Sequence, residues 1–246
     1  MSELVIIVTL TFLVALIYSS VGHGGASGYL AVLSFFSFSH EIMATSALSL
    51  NILVAGLSFL IYGKANYFSW KLARPFVLTS VPAALIGGLI KISPAVYAIL
   101  LAGALSFAGL RLLLNIEQAS GTEERSPSFS IAASVGGLIG MLSGMVGVGG
   151  GIFLSPVLIL CRWADPKKTA AISAFFILVN SISGLIGRSL RGGLHLTEGW
   201  PWMVLTAFLG GILGSRLGAH HFSPVWLRRI LASVLFLAVF KLVRLI

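Results

Sequence analysis

The feature that most constrains this chain is where its charges are missing. No Asp, Glu, Lys or Arg occurs in the runs 4–40, 42–63, 75–90, 92–110, 126–161, 169–187 and 199–215. Crossing ~30 Å of hydrocarbon takes ~20 apolar residues, so runs of this length read as membrane spans. Composition agrees: 57% of the 246 residues are hydrophobic, 9% are charged, and the mean hydropathy is +1.03. Too little polar chain remains for a soluble domain, which excludes soluble enzyme classes and leaves an all-α, polytopic transmembrane helix bundle.

The net charge is +9, but the cations stand singly or in pairs between spans. A nucleic-acid binder would cluster them on one solvated face, so no nucleic-acid partner is expected and the charges are read as orienting the protein in the bilayer. The single Cys161 has no internal disulfide partner and is expected to pack as a small hydrophobe. Met1-Ser2-Glu3 supplies no positive n-region, so the first span is expected to stay with the mature protein rather than leave as a signal peptide.

The chain matches itself at an offset of 125. Val21-Gly22-His23-Gly24-Gly25 lies over Val146-Gly147-Val148-Gly149-Gly150, and Ile52-Leu53-Val54 over Ile177-Leu178-Val179. Later the offset drifts to 130, where Ser93-Pro94 meets Ser223-Pro224. Two repeats follow, 1–116 and 128–246, joined by a polar linker at 117–127. Each is expected to hold five apolar elements: 4–21, 25–38, 42–62, 75–91 and 95–114, then 130–146, 150–161, 168–187, 200–217 and 225–245. The second element of each is too short to span and follows a glycine-rich turn, which predicts a broken or re-entrant pair meeting inside the membrane.

Either way each half makes an odd number of net crossings, so the repeats are expected to be inverted. The charges fit inversion. The 38–42 connection has no Lys or Arg, whereas its counterpart holds Arg162, Lys167 and Lys168. The positive-inside rule places Lys64, Lys71, Arg74, Arg111, Arg125, Arg162, Lys167, Lys168, Arg216, Arg228 and Arg229 inside, against Lys91, Arg188, Arg191, Lys241 and Arg244 outside, with both termini outside.

Inverted repeats that each carry a glycine-interrupted segment are the pattern of secondary transporters with a midplane site. The candidate substrate-binding residues are Gly22, His23, Gly24 and Gly25 in the first turn and Gly147, Gly149, Gly150 and Gly151 in the second. Beside them stand Thr45, Ser46, Ser49 and Asn51 on the third element and Ser173 and Asn180 on the eighth. Glycines leave backbone N–H groups uncovered, and two helix N-termini facing one cavity would hold an anion without a buried cation. Close helix packing is the competing reading of the glycines. Ser and Thr on such helices also commonly bond their own carbonyls, while Asn51 and Asn180 are expected to line the cavity or join helices. His23 either donates to an anion and titrates, or is a neutral interhelical bonder.

Glu41, Asp165 and Glu198 sit at span boundaries, which leaves no carboxylate for a proton relay. His220-His221 reads as a surface pair, so no metal and no cofactor are expected. The Gly-rich runs lack the Lys-Ser/Thr of a P-loop. The absence of a Ser-His, His-Glu or paired-Asp constellation inside the spans argues against an intramembrane enzyme.

The stretches GMVGVGGGIFLSPVLIL at 144–160, SVGHGGASGYLAVL at 20–33, ATSALSLN at 44–51, ILVNSISGLI at 177–186 and LGGILGSRLG at 209–218 together resemble the TauE/SafE family of sulfite exporters over essentially the whole chain. His23 departs from that pattern, which has a small or apolar residue there. The resemblance implies a multi-pass protein of the bacterial cytoplasmic membrane that moves sulfite, sulfoacetate, other organosulfonates or related small anions, usually outward. An anion channel of the same fold and an importer are the alternatives. The expected partners are a small anionic substrate and the lipid bilayer, with homo-oligomer formation left open.

Overall fold

The computed structural model describes residues 2–36, 38–114, 125–220 and 225–243. They form ten helices and, among the described residues, no strand: α1 (Ser2–Ser19), α2 (Ala26–Ser34), α3 (His40–Lys64), α4 (Trp70–Leu89), α5 (Pro94–Leu114), α6 (Phe129–Val146), α7 (Gly151–Leu160), α8 (Pro166–Gly192), α9 (Trp200–His220) and α10 (Val225–Val243). Each falls on one of the ten apolar elements expected from the charge-free runs. Of the polar linker, 117–124 lie outside the described residues, as do the side chains of Arg228 and Arg229.

Six of these helices, α3, α4, α5, α6, α8 and α9, are long and apolar enough to cross a membrane. Their outer faces carry Leu60, Leu78, Leu110, Leu138, Leu190 and Leu205, all exposed, a surface suited to lipid rather than water. The chain is therefore a multi-pass helical membrane protein. By contrast α2 and α7, at 9 and 10 residues, reach only ~15 Å at 1.5 Å per residue.

Lipid-facing helices gain little from apolar burial against one another, so close backbone approach does much of the packing. Gly136, Gly140 and Gly144 on α6 sit directly on the carbonyls of Phe76, Ser80 and Ala84, so α4 and α6 run parallel. Gly210 and Gly214 on α9 sit in the same way on Phe12 and Leu16 of α1, and Gly218 on Ser20 just past its end. At the centre α3 and α8 run antiparallel. Leu48 meets Gly184, Asn51 meets Ser181 and Gly56 meets Leu178.

The charges gather at two ends. One end holds Lys167, which donates to Tyr67 Oη at 3.1 Å and to the Ala219 carbonyl at 3.4 Å, and the Arg125 N–H donates to the Arg162 carbonyl at 2.8 Å. At the other, Arg191 pairs with Glu41 at 3.4 Å and donates to the Ile90 carbonyl at 2.7 Å. Two expectations fail here. Cys161 is exposed at the end of α7, because the helix stops at Leu160 and turns outward into Arg162, which takes a positive φ. Arg188 is not one of the solvated charges: α8 continues past it to Gly192, so it is enclosed between helices at 3% exposure.

Candidate functional site

Several long helices in this chain start with ordinary capping chemistry. Ser39 and Ser128 accept from the N–H groups of Ile42 and Ile131, and Asp165 accepts from Lys167 and Lys168 at 2.8 and 2.9 Å ahead of α8. The two short helices differ. Their N-cap residues, Gly25 (φ +98°) and Gly150 (φ +82°), are left-handed and supply no side-chain cap. Gly22, Gly147 and Gly149 also take positive φ, a backbone that only glycine adopts at little cost. The turns thus aim helix N-termini with bare backbone donors into the protein.

Both turns meet at Asn51. Its Oδ1 accepts from the Ala26 N–H, the first donor of α2, at 3.0 Å. Its Nδ2 donates to the Val148 carbonyl in the second turn at 3.2 Å and to Ser181 Oγ at 3.3 Å. A Cβ on either Gly24 or Gly149 would fall on the Asn51 amide and on Ile177. One buried side chain therefore holds the two interruptions together near the middle of α3 and α8. The neighbouring glycines fit just as closely: Gly22 lies under Ala170 of α8, and Gly147 under Ala44 of α3. Gly151 opens α7 with Ile177 against it.

The other candidates divide. His23 is buried; its Nδ1 lies 2.8 Å from the Val21 carbonyl and its Nε2 2.9 Å from Ser155 Oγ. A carbonyl only accepts, so Nδ1 carries the proton. Ser155 in turn bonds Ser173 Oγ at 2.7 Å and the Gly151 carbonyl at 2.9 Å. His23 is thus the first link of a polar chain joining the first turn to α7 and α8, with both ring nitrogens engaged by protein. Ser49 faces away from the turns: it donates to the Ser46 carbonyl and accepts from Trp200 Nε1 at 2.9 Å. Thr45 and Ser46 are buried, Ser46 Oγ without a hydrogen-bond partner. Asn180 donates to its own Phe176 carbonyl at 2.8 Å and leaves Oδ1 unpartnered.

Three residues at or beside the turns were not anticipated. Ser155 gave no signal beyond lying one turn into α7. Tyr29 is fully buried, its hydroxyl has no partner, and a Cβ on Gly25 would lie 2.9 Å from it, so a spare donor hangs over the first turn. Arg188 donates through Nη2 to the carbonyls of Gly144 and Met145 at 3.1 and 2.6 Å, at the end of α6 and immediately before the second turn.

Among the described residues the two ends are lined differently. A cavity of about 740 Å³ opens among the starts of α1, α3 and α9, lined by residues that include Glu3, Ile7, Phe38, Glu198, Trp202 and Met203. At the cation-rich end the interior is packed: Ala73, Phe76, Ala132 and Ile172 form a buried cluster with Phe68, Leu72, Trp163 and Phe175 against it. The rings of Phe76 and Trp163 are centred 5.9 Å apart, and those of Phe68 and Phe175 5.2 Å apart.

The family described as "Sulfite exporter TauE/SafE" matches residues 7–242. The probable membrane transporter protein y4hK of Sinorhizobium fredii (strain NBRC 101917 / NGR234) is 32% identical over 234 residues, which cover 94% of each chain. The probable membrane transporter protein YunE of Bacillus subtilis (strain 168) is 29% identical over 91 residues, 37% of this chain and 31% of its own. The probable membrane transporter protein MJ0441 of Methanocaldococcus jannaschii is 31% identical over 132 residues, 49% of this chain and 46% of its own. No solved structure matches.

Proposed function

The chain belongs to the TauE/SafE sulfite exporter family, and on that premise we propose that it carries small oxyanions, such as sulfite, sulfoacetate or other organosulfonates, out across the bacterial cytoplasmic membrane. The observation that carries this reading is the junction at Asn51, where two helix starts with left-handed glycine N-caps, neither supplying a side-chain cap of its own, converge. Backbone donors and helix dipoles at that point favour negative charge. No covalent chemistry is required of the protein.

Alternating access of two inverted repeats is the proposed mechanism. Support comes from packing that is the same after the halves are exchanged: α1 on α9 corresponds to α6 on α4, and α3 and α8 cross antiparallel as counterparts would. The two ends add a second argument. At the offset of 125, Ile7 and Phe38 of the open cavity correspond to Ala132 and Trp163; at 130, Glu198, Trp202 and Met203 correspond to Phe68, Leu72 and Ala73. Equivalent positions line a cavity at one end and belong to a packed aromatic cluster at the other. That is the arrangement of a carrier open to one side, in which closing the cavity and parting the cluster would expose the junction to the opposite side. Positive-inside placement makes the cavity the external mouth. Outward movement of an anion from a negative interior gains ~2.3 kcal/mol per charge per 100 mV, enough to drive export without a co-ion.

The test is sulfite efflux from proteoliposomes of purified protein, with the membrane potential and the pH gradient set independently. Saturable efflux that rises with inside-negative potential is expected. Efflux that ignores potential and requires a pH gradient would overturn the uncoupled mechanism, and non-saturable currents above carrier rates would replace the carrier with a channel.

A further inference from the structure

Arg188 is the one charge that the fold encloses in an unbalanced state among the described residues. It lies 3% exposed between α8, α6 and α4, and its hydrogen bonds all go through Nη2 to the carbonyls of Gly144 and Met145. Its Nε is buried without a partner. The nearest charged and titratable neighbours are Tyr97, Arg191, Glu41 and His40. Tyr97 spends its hydroxyl on the Val146 carbonyl at 3.2 Å, and Glu41 is paired with Arg191. A guanidinium removed from water without a carboxylate against it is costly, and an ionised side chain among membrane helices is by default a functional group.

Capping the end of α6 does not account for the charge, because the first repeat performs the same task without one. Ser20 is the counterpart of Met145 at the offset of 125, and its carbonyl accepts from the neutral hydroxyl of Tyr62 at 2.9 Å. Tyr62 maps one residue from Arg188. A phenol suffices in one half; the other half has placed a cation there and left its Nε–H buried and unused.

We propose that Arg188 is an anion-binding residue, whose unpartnered Nε–H holds an oxyanion beside the second glycine turn. The anion supplies the counter-charge the protein lacks. An oxyanion with several acceptor oxygens, sulfite or a sulfonate, fits a guanidinium better than a halide does. This assignment rests on the oxyanion-carrier reading above and adds to it a cationic station between the glycine junction and the Glu41–Arg191 end of the bundle.

The experiment is a titration of thermal stability with sulfite, with chloride and acetate as parallel arms, on purified wild type, Arg188→Gln, Arg188→Lys and Gly149→Val. Arg188→Gln is expected to weaken sulfite binding roughly tenfold or more, the worth of one charge-assisted hydrogen bond. Arg188→Lys should recover part of the loss while narrowing the preference for sulfite over chloride, which a merely structural cap would not do. Sulfite affinity in folded Arg188→Gln within twofold of wild type overturns the proposal. If that variant does not fold, unchanged affinity and anion preference in Arg188→Lys overturns it instead. Loss of binding in Gly149→Val but not in Arg188→Gln removes Arg188 and leaves the glycine junction standing. The reverse pattern keeps Arg188 and removes the junction, and a wild type stabilised by none of the anions overturns both.

Discussion

Replacing Asn51 gives the sharpest test of the glycine junction, because one side chain serves both turns. In Asn51→Asp the shape is unchanged and the bond from the Ala26 N–H is kept, but the donations to Val148 and Ser181 are lost. Two neutral buried bonds at about 1 kcal/mol each, together with a carbonyl left facing a carboxylate, amount to about 2–4 kcal/mol of lost stability. Asn51→Leu has similar volume and no charge. It loses all three bonds and orphans the Ala26 N–H and the Val148 carbonyl, a comparable cost.

The two variants part company in binding. A carboxylate about 5 Å from a bound anion repels it by about 3 kcal/mol at an effective dielectric of about 20, roughly a 200-fold loss of affinity. The leucine variant has no such term and should lose under about tenfold. The assay is the sulfite concentration dependence of thermal stability in detergent, where a binder stabilises by about 2.7 kcal/mol at 100 times its Kd. Folded Asn51→Asp with wild-type affinity, or equal losses in both variants, would show that the anion does not sit at the turns.

Two further outcomes are expected. Cys161 is the single cysteine and is exposed at the cation-rich end, so an impermeant maleimide should leave it unlabelled in whole cells and label it once the membrane is permeabilised; equal labelling before and after would reverse the orientation. On α6, a Cβ at Gly140 falls on the backbone of Ser80, whereas one at Gly137 meets only Thr79 at 3.8 Å. Gly140→Ala should therefore destabilise by about 1–3 kcal/mol through overpacking, with Gly137→Ala close to neutral in the same denaturation series. Similar costs at both positions would refute close packing of α4 on α6.

Much of the fold was legible in the residues because a membrane span is a one-dimensional constraint. Charge-free length marks each helix, and the bilayer leaves the backbone little alternative to a helix. The glycine turns were legible for a related reason: few other residues tolerate positive φ, so the runs at 22–25 and 147–151 mark where the chain is free to take it, and Gly22, Gly25, Gly147, Gly149 and Gly150 do. The self-match at 125 likewise made the halves comparable before any contact was known.

Tertiary structure decided which polar groups face one another. Asn51 and Val148 are 97 residues apart, and His23 and Ser155 are 132 apart, and hydropathy says nothing about the face on which such a residue lies. Ser49 and Asn51 differ by two positions yet point to opposite partners, Trp200 and the glycine junction, because two residues on a helix are ~200° apart. Arg188 shows the limit most clearly. In sequence it is a charge at the end of an uncharged run, indistinguishable from Arg191. Only the close approach of α4 and α6, with Gly88 and Gly144 on their contact faces, encloses one arginine between helices and leaves the other paired with Glu41.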